Sequence, residues 1–373
     1  MIVLTGRQGA RPQSDRRRLM MFGSNDYLGL AGDPAVVHGA IDAIETYGTG
    51  LAMNQPFATT PLHEKLRERV AAFTGTESAL LFSSCTAANI ALLTTLASGR
   101  DALIFSDTNN HASIIDGCRL AKGRTVVYRT RDVDHLAGQI EAAASQPNRT
   151  IISDGVFSVE GDIAPGAELA RVALESGAAL VFDESHAAGV IGEHGRGTAE
   201  ACGLDPRRDV AAFTGTFSKA FGAGGGGYIA GPAGLMAEVK RVARFYIFNT
   251  GMHIAAVGAA IVGLERASTD GERLDRLRAN TKRLRESLTK IGFTLLGGET
   301  PITPISIGDE EKARVYFTRL SKRGLIAPVM AFPIVPHGEA RLRLQPSASH
   351  TEREIDVACE ILAEEANGLH LVR

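Results

Sequence analysis

The chain has 373 residues, a formal net charge of −2, 44% hydrophobic and 22% charged residues, and no Trp. That length exceeds one small core, so two packed regions are expected, and the near-neutral charge gives no global argument for nucleic acid or a membrane surface as partner. Four cysteines at 85, 118, 202 and 359 show no CxxC pair and no metal-ligand spacing, which fits a reducing cytosol and points to no metal site.

From the N-terminus, MIVLTGRQG has too short an apolar run for a signal peptide, and Arg16, Arg17 and Arg18 read as a solvated stretch. Apolar runs then alternate with helical patterns. SALLFSS, DALIFSD, RTVVY, RTIISD, AALVFDE and DVAAFTG read as short strands, separated by helices such as AANIALLTTLAS, HASIIDGCRLA, VDHLAGQIEAAAS and AELARVALESG. Strand–helix–strand repetition implies a mainly parallel sheet with helices on both faces, and continuous apolar strands fit burial on both sides. IAAVGAAIVGL falls short of a membrane span, so a cytoplasmic protein is expected. From Gly271 a helix carries Leu274, Leu277, Thr281, Leu284, Leu288 and Ile291 on one face. ITPISIG, the helix ARVYFTRLSKRG, the strands IAPVMAF and ARLRLQ, and a final helix with the capping box TERE complete a smaller α+β region. The expected boundaries are an N-terminal segment at 1–45, a large α/β domain at 46–250, and a linking helix with the smaller domain at 251–373.

GTFSKAFGAGGGGY, from Gly215 to Tyr228, sets a lone lysine before a run of glycines. A Walker phosphate loop needs the lysine after the glycines, so that reading fails. GAGGGG formally fits GxGxxG, but a strand-like run, YIAGP, follows where a dinucleotide site needs a helix. A Schiff-base lysine facing pyridoxal phosphate (PLP) remains, with Thr216 and Ser218 able to bond phosphate oxygens. Taken alone, a lysine in a glycine-rich turn is more often an exposed surface lysine; its company decides.

AALVFDESH puts Asp183 at the carboxyl end of an apolar run, where ligands bind in parallel sheets. There it can hold a pyridine nitrogen as a cation or merely cap the next turn. His111, after DALIFSD, can stack on a flat ring or make a local hydrogen bond at a helix start. SSCTAAN offers a phosphate cradle of backbone N–H groups or an ordinary N-cap by Ser84.

Together SNDYLGLAGDP, LHEKL, FTGTESALLFSSCTAAN, DTNNHASIIDG, DGVFSVEGDIAP, VFDESHAAGVIGEHGRG, GTFSKAFGAGGGGY and ARLRLQPSASHT resemble, in order and over nearly the whole chain, the α-oxoamine synthases of the fold-type I PLP-dependent transferases. The resemblance implies that fold, with a large mainly parallel α/β domain and a smaller α+β domain, and PLP as cofactor. It implies Lys219 as the lysine bonded to PLP, Asp183 on the pyridine nitrogen, His186 on the ring hydroxyl, His111 stacked on the ring and Ser158 nearby. Ser84, Cys85 and Thr86 would hold the phosphate, assisted by Thr216. Asn249 and Thr250 match positions that reach a partner subunit's phosphate, so a homodimer with sites at the interface is implied. Arg343, with Asn25 close by, matches the arginine that grips the amino-acid carboxylate, and Arg341 is expected on the opposite face of the strand. The implied reaction condenses an amino acid with an acyl thioester, typically acyl-CoA, to an α-amino ketone with loss of CO2.

The sequence departs from the family's pattern where an arginine would fall at Asn54 or Gln55, and in FNTGMHI, where relatives have a Ser- and Pro-containing turn. Both departures concern substrate and not cofactor. Transamination or retro-aldol cleavage on the same fold stays open, as does a non-catalytic dimer that keeps the fold for binding.

Overall fold

The computed structural model describes residues 2–14, 17–298 and 300–372. The chain divides into two compact units, one of Met1–Asp33, Ser158–Asp162 and Asp270–Arg373, the other of Pro34–Phe157 and Ile163–Thr269. The first 33 residues thus group with the C-terminal part, where the sequence suggested a separate segment ending at 45.

The larger unit is built on a seven-stranded sheet in the order Ser78–Phe82, Gly227–Gly231, Ala212–Thr216, Ala179–Asp183, Arg149–Asp154, Leu103–Asp107, Arg124–Tyr128. Gly227–Gly231 runs antiparallel to both its neighbours. The pairings from Ala212–Thr216 outward are parallel. Successive side chains leave a strand on opposite faces. Here both faces are apolar. Phe82, Ile104, Ile152 and Val181 pack with Leu92 and Ile114 on one side, while Phe105, Ile151, Leu180 and Phe182 pack with Leu136 and Leu169 on the other. Burial on both faces is what the continuous apolar runs require.

In the smaller unit Thr303–Gly308, Ala340–Leu344 and Val329–Met330 form an antiparallel three-stranded sheet. The helix Gly271–Ile291 buries Leu274, Leu277, Thr281, Leu284 and Leu288, with Asn280 added to that face. Each such leucine contributes about 1.5–3 kcal/mol when fully buried. Phe22 joins the same core as Leu284, Leu342 and Ile355, which ties the N-terminal residues to this unit. The capping box is present: the Thr351 hydroxyl accepts from Glu354 N–H, and the Glu354 carboxylate accepts from Thr351 N–H. IAPVMAF does not form one strand. Pro328 interrupts it, so Leu325–Ile326 pairs in parallel with Met20–Met21 and Val329–Met330 pairs with Ala340–Leu344. Arg17 and Arg18 form an exposed short strand paired with Gln13–Ser14, and Arg16 lies outside the described residues. Among the described residues no helix is long and apolar enough to cross a membrane.

Candidate active site

In the larger unit the strand ends place the chemistry. Asp183 is the last residue of its strand and pairs across to Thr214, and Lys219 follows three residues after that neighbouring strand ends at Thr216. Lys219 Nζ lies 2.9 Å from His186 Nε2, and the histidine is buried. Asp183 is 2% exposed, accepting from Asn89 Nδ2 at 2.7 Å and from Ser185 N–H at 2.9 Å. These partners are neutral donors, with Cys85 Sγ at 3.6 Å, and among the described residues no cation stands within ion-pair distance of it. A buried carboxylate held only by neutral donors is poised for a cation from outside the chain.

Ser84 caps the helix Cys85–Leu96, its hydroxyl accepting from Ala87 N–H at 3.2 Å. The first-turn N–H groups of such a helix lack intrahelical partners and favour an anion. So the cap and the cradle coexist. His111 likewise caps the helix Ala112–Leu120, its Nδ1 accepting from Ser113 N–H, while Asp154 accepts from His111 N–H at 2.9 Å. Surrounding protein disfavours the His111 cation and Lys219 adds to that, against the pull of Asp183. Burial first, then the Asp183 charge, push the Cys85 thiol well above its usual range, so it stays protonated and is no nucleophile at neutral pH. Burial also raises Glu184 to about 7, although Thr198 N–H donates to both its oxygens.

The glycines after Lys219 have a steric reason. A Cβ at Gly227 would stand 2.4 Å from the backbone nitrogen of Cys85, so only glycine lets this strand pass the helix start. Gly226 has φ +90°, a conformation that favours glycine, and a Cβ there would stand 2.5 Å from the Met252 side chain. Thr216 Oγ1 donates to Gly226 O at 3.1 Å and meets Ser218 Oγ at 2.9 Å, holding both hydroxyls beside the turn. Thr86 is exposed at the helix start.

Asn249 Nδ2 donates to Ser83 Oγ at 3.4 Å, one residue before the cap, within one chain. Thr250 lines a cavity of about 170 Å³ with His63, Leu51, Met252 and Ile254. The two departures from the family's pattern meet here. Gln55 N–H donates to Asn249 O at 3.1 Å, and a Cβ at Gly251 would lie 2.8 Å from Gln55 Cγ.

In the smaller unit Arg343 is 9% exposed and donates to Ser158 O and, at 3.4 Å, to Asn25 Oδ1. Among the described residues no carboxylate pairs with it, and its buried Nε has no partner. Arg341 is not on the opposite face. Residues two apart on a strand share a face, and both arginines reach the Ser158–Asp162 segment, Arg341 meeting Glu160 at 3.5 Å. What separates them is charge: Arg341 also pairs with Glu339 at 3.1 Å and is neutralised, whereas Arg343 is not.

The residues present fit PLP. The uncompensated Asp183 suits a protonated pyridine nitrogen, the Cys85 helix start suits a phosphate, and Lys219 is a partly accessible amine beside both elements. Sequence reading missed Asn89 and Asp154, which hold Asp183 and His111. Asn89 lies inside the apolar run AANIALLTTL, where a buried polar residue is itself the signal.

Residues 17–362 match the aminotransferase class I and II family. An 8-amino-7-oxononanoate synthase of Symbiobacterium thermophilum is 40% identical over 97% of this chain and 92% of its own length. A mitochondrial 2-amino-3-ketobutyrate coenzyme A ligase of Bos taurus is 36% identical over 97% of this chain and 86% of its own. A solved structure of SPT with a PLP internal aldimine superposes with TM-score 0.95 at 28% identity, covering 100% of this chain and 94% of that one. The fold is that of fold-type I PLP transferases, and the chain belongs to the aminotransferase class I and II family, in its branch of PLP-dependent acyltransferases, the α-oxoamine synthases.

Proposed function

We propose that this chain joins an amino acid to the acyl group of a thioester, acyl-CoA first, giving an α-amino ketone, CO2 and the free thiol. A bond forms between the α-carbon and the thioester carbonyl carbon, the C–S bond breaks with the thiol leaving, and the carboxylate leaves as CO2 while a proton returns to the α-carbon. Bound PLP supplies the electron sink that stabilises negative charge at that carbon.

The chain's residues supply the rest. Asp183 holds the pyridine nitrogen, His186 the ring hydroxyl, and His111 packs on the ring. Ser84, Cys85 and Thr86 hold the phosphate through backbone, with Thr216 assisting; Ser158 lies near the cofactor, and Asn249 and Thr250 serve the phosphate of a partner subunit in a homodimer. Arg343 receives the amino-acid carboxylate, with Asn25 orienting the guanidinium; hydrogen bonds to charged groups contribute about 1.5–3 kcal/mol. Lys219 takes the α-proton at Nζ and His186 keeps that amine in place; a positioned base contributes about 10²–10⁴-fold. The observation that carries this reading is the buried, cation-free Asp183 at the same strand edge as the Lys219 amine.

NNHASIIDGCRL and IVPHGEARLRLQPSASHT are similar to glycine C-acetyltransferase segments, so glycine with acetyl-CoA is the first pair to test. The hydrogen bond from Gln55 N–H to Asn249 O, which joins the two departing segments, supports an acyl-donor preference of this chain's own. Cofactor-loaded protein is incubated with glycine, serine or alanine, with and without acetyl-CoA and longer thioesters. Thiol release that depends on both substrates supports acyl transfer. Keto-acid formation without thioester overturns it in favour of transamination.

A further inference from the structure

One buried amide touches both Asp183 and the support of His111. Asn89 is fully buried in the helix Cys85–Leu96. Its Nδ2 donates to Asp183 Oδ2 at 2.7 Å and to Ser113 Oγ at 2.9 Å, and its Oδ1 accepts from Thr214 Oγ1 at 2.6 Å. An ionised carboxylate only accepts, so the amide nitrogen must face Asp183 and the oxygen Thr214. Both amide hydrogens are then committed.

That polarity runs onward. Ser113 Oγ receives a hydrogen from Asn89, which leaves its own hydrogen for His111 Nδ1, 2.8 Å away. Ser113 N–H points at the same nitrogen at 3.3 Å. With both donors of Ser113 aimed at it, Nδ1 accepts, and a neutral ring carries its hydrogen on Nε2.

We propose that Asn89 is a positioning residue that joins Asp183 to His111 through Ser113 and fixes His111 as the neutral Nε2–H tautomer. Its value for the reaction rests on the roles given above to Asp183 and His111, whereas the hydrogen-bond polarity stands without them. A neutral imidazole avoids repelling the ring cation that Asp183 stabilises. Burial acts on His111 in the same direction and outweighs the opposing pull of Asp183. Linking the groups through one satisfied amide makes the arrangement rigid, and its loss is felt at both ends.

The test is ¹⁵N NMR of the imidazoles in holoenzyme labelled at histidine, His111 being assigned by its absence in His111→Gln. Wild type is expected to show Nδ1 unprotonated and hydrogen-bonded, with Nε2 protonated. Ser113→Ala removes the hydroxyl donor and moves Nδ1 toward a nitrogen lacking a strong donor. Asn89→Asp, which does not touch His111, is expected to move Nδ1 the same way, because the new carboxyl group draws the Ser113 hydrogen off it. The double variant moves it no further than Ser113→Ala alone. Where Asn89→Asp is not recovered folded, Asn89→Ala takes its place with a smaller shift in the same direction, because Ser113 loses the donor that polarises its hydroxyl. A wild-type ring protonated on Nδ1, an unmoved His111 in the position-89 variant, or additive shifts in the double variant overturns the proposal. None of these outcomes depends on turnover, so failure of the acyl-transfer reading is distinguishable.

Discussion

Lys219 Nζ and His186 Nε2 stand 2.9 Å apart, just beyond the ends of adjacent parallel strands. The contact gives the lysine a fixed direction at the strand edge where Asp183 lies buried. His186→Gln is therefore expected to lower kcat by about 10²-fold, the low end of what a positioned acid–base group contributes, and to move the acidic limb of its pH profile. Steady-state kinetics across pH checks this. An unchanged profile with only a raised KM would assign His186 to binding alone.

Arg343 and Arg341 share a strand face, yet among the described residues only Arg341 has carboxylates beside it. Arg343→Ala is expected to raise the amino-acid KM by roughly 10–100-fold, as loss of hydrogen bonds to a charged group implies. Lysine does not rescue it, because one ammonium cannot present the guanidinium's fork. Arg341→Ala breaks the pairs with Glu160 and Glu339 and shows as a lower Tm with little change in that KM. The two variants measured together separate substrate grip from structural pairing.

Gly227→Ala tests the close passage of strand and helix. The added Cβ would fall 2.4 Å from Cys85 N and 2.6 Å from Cys85 Cα, both backbone atoms that cannot rotate away. Overpacking of this kind costs about 1–3 kcal/mol. Both a lower Tm and a weaker Kd for PLP are expected, because the helix start that would hold the phosphate is what must shift. A drop in Tm with an unaltered Kd would detach the Cys85 helix start from cofactor binding.

Much of this arrangement is legible in the sequence because burial on both faces leaves a strong signal. RTVVY and RTIISD coincide with their strands, and between Asp183 and Lys219 lie one crossover and the strand Ala212–Thr216. Long-range contacts are less legible. Nothing local in the first 33 residues says that Phe22 packs with Leu284 and Ile355. IAPVMAF looks continuous by hydropathy, but Pro328 withholds an N–H and the halves pair with different strands. The shared face of Arg341 and Arg343 follows from the two-residue period of a strand and is legible in the sequence alone. Asn89 is hidden among neighbours, Ala88 and Ile90, that describe a core helix, and the partners of its amide come from elements distant in sequence.

His350 makes stability depend on pH. It is 4% exposed, stacks on Phe22 at 4.2 Å, and its Nδ1 accepts from Ser347 N–H at 2.9 Å. Burial pushes its imidazole down from 6.5 to about 4. The unfolded chain then binds more protons in that interval, so the contribution is complete above pH 6.5 and is lost as pH falls toward about 4. The whole effect is about 3 kcal/mol. Urea midpoints are expected to fall between pH 7 and pH 4.5, roughly, and His350→Leu is expected to reduce that slope. An equal slope in the variant would place the proton uptake elsewhere.

The central claim is that PLP bonds covalently to Lys219. Borohydride reduction of the holoenzyme, followed by proteolysis and mass spectrometry, tests it directly. The account predicts the reduced pyridoxyl mass on the peptide carrying Lys219 and its absence in Lys219→Ala. The same mass on a peptide carrying another lysine, such as Lys65 or Lys240, or on none, would contradict it.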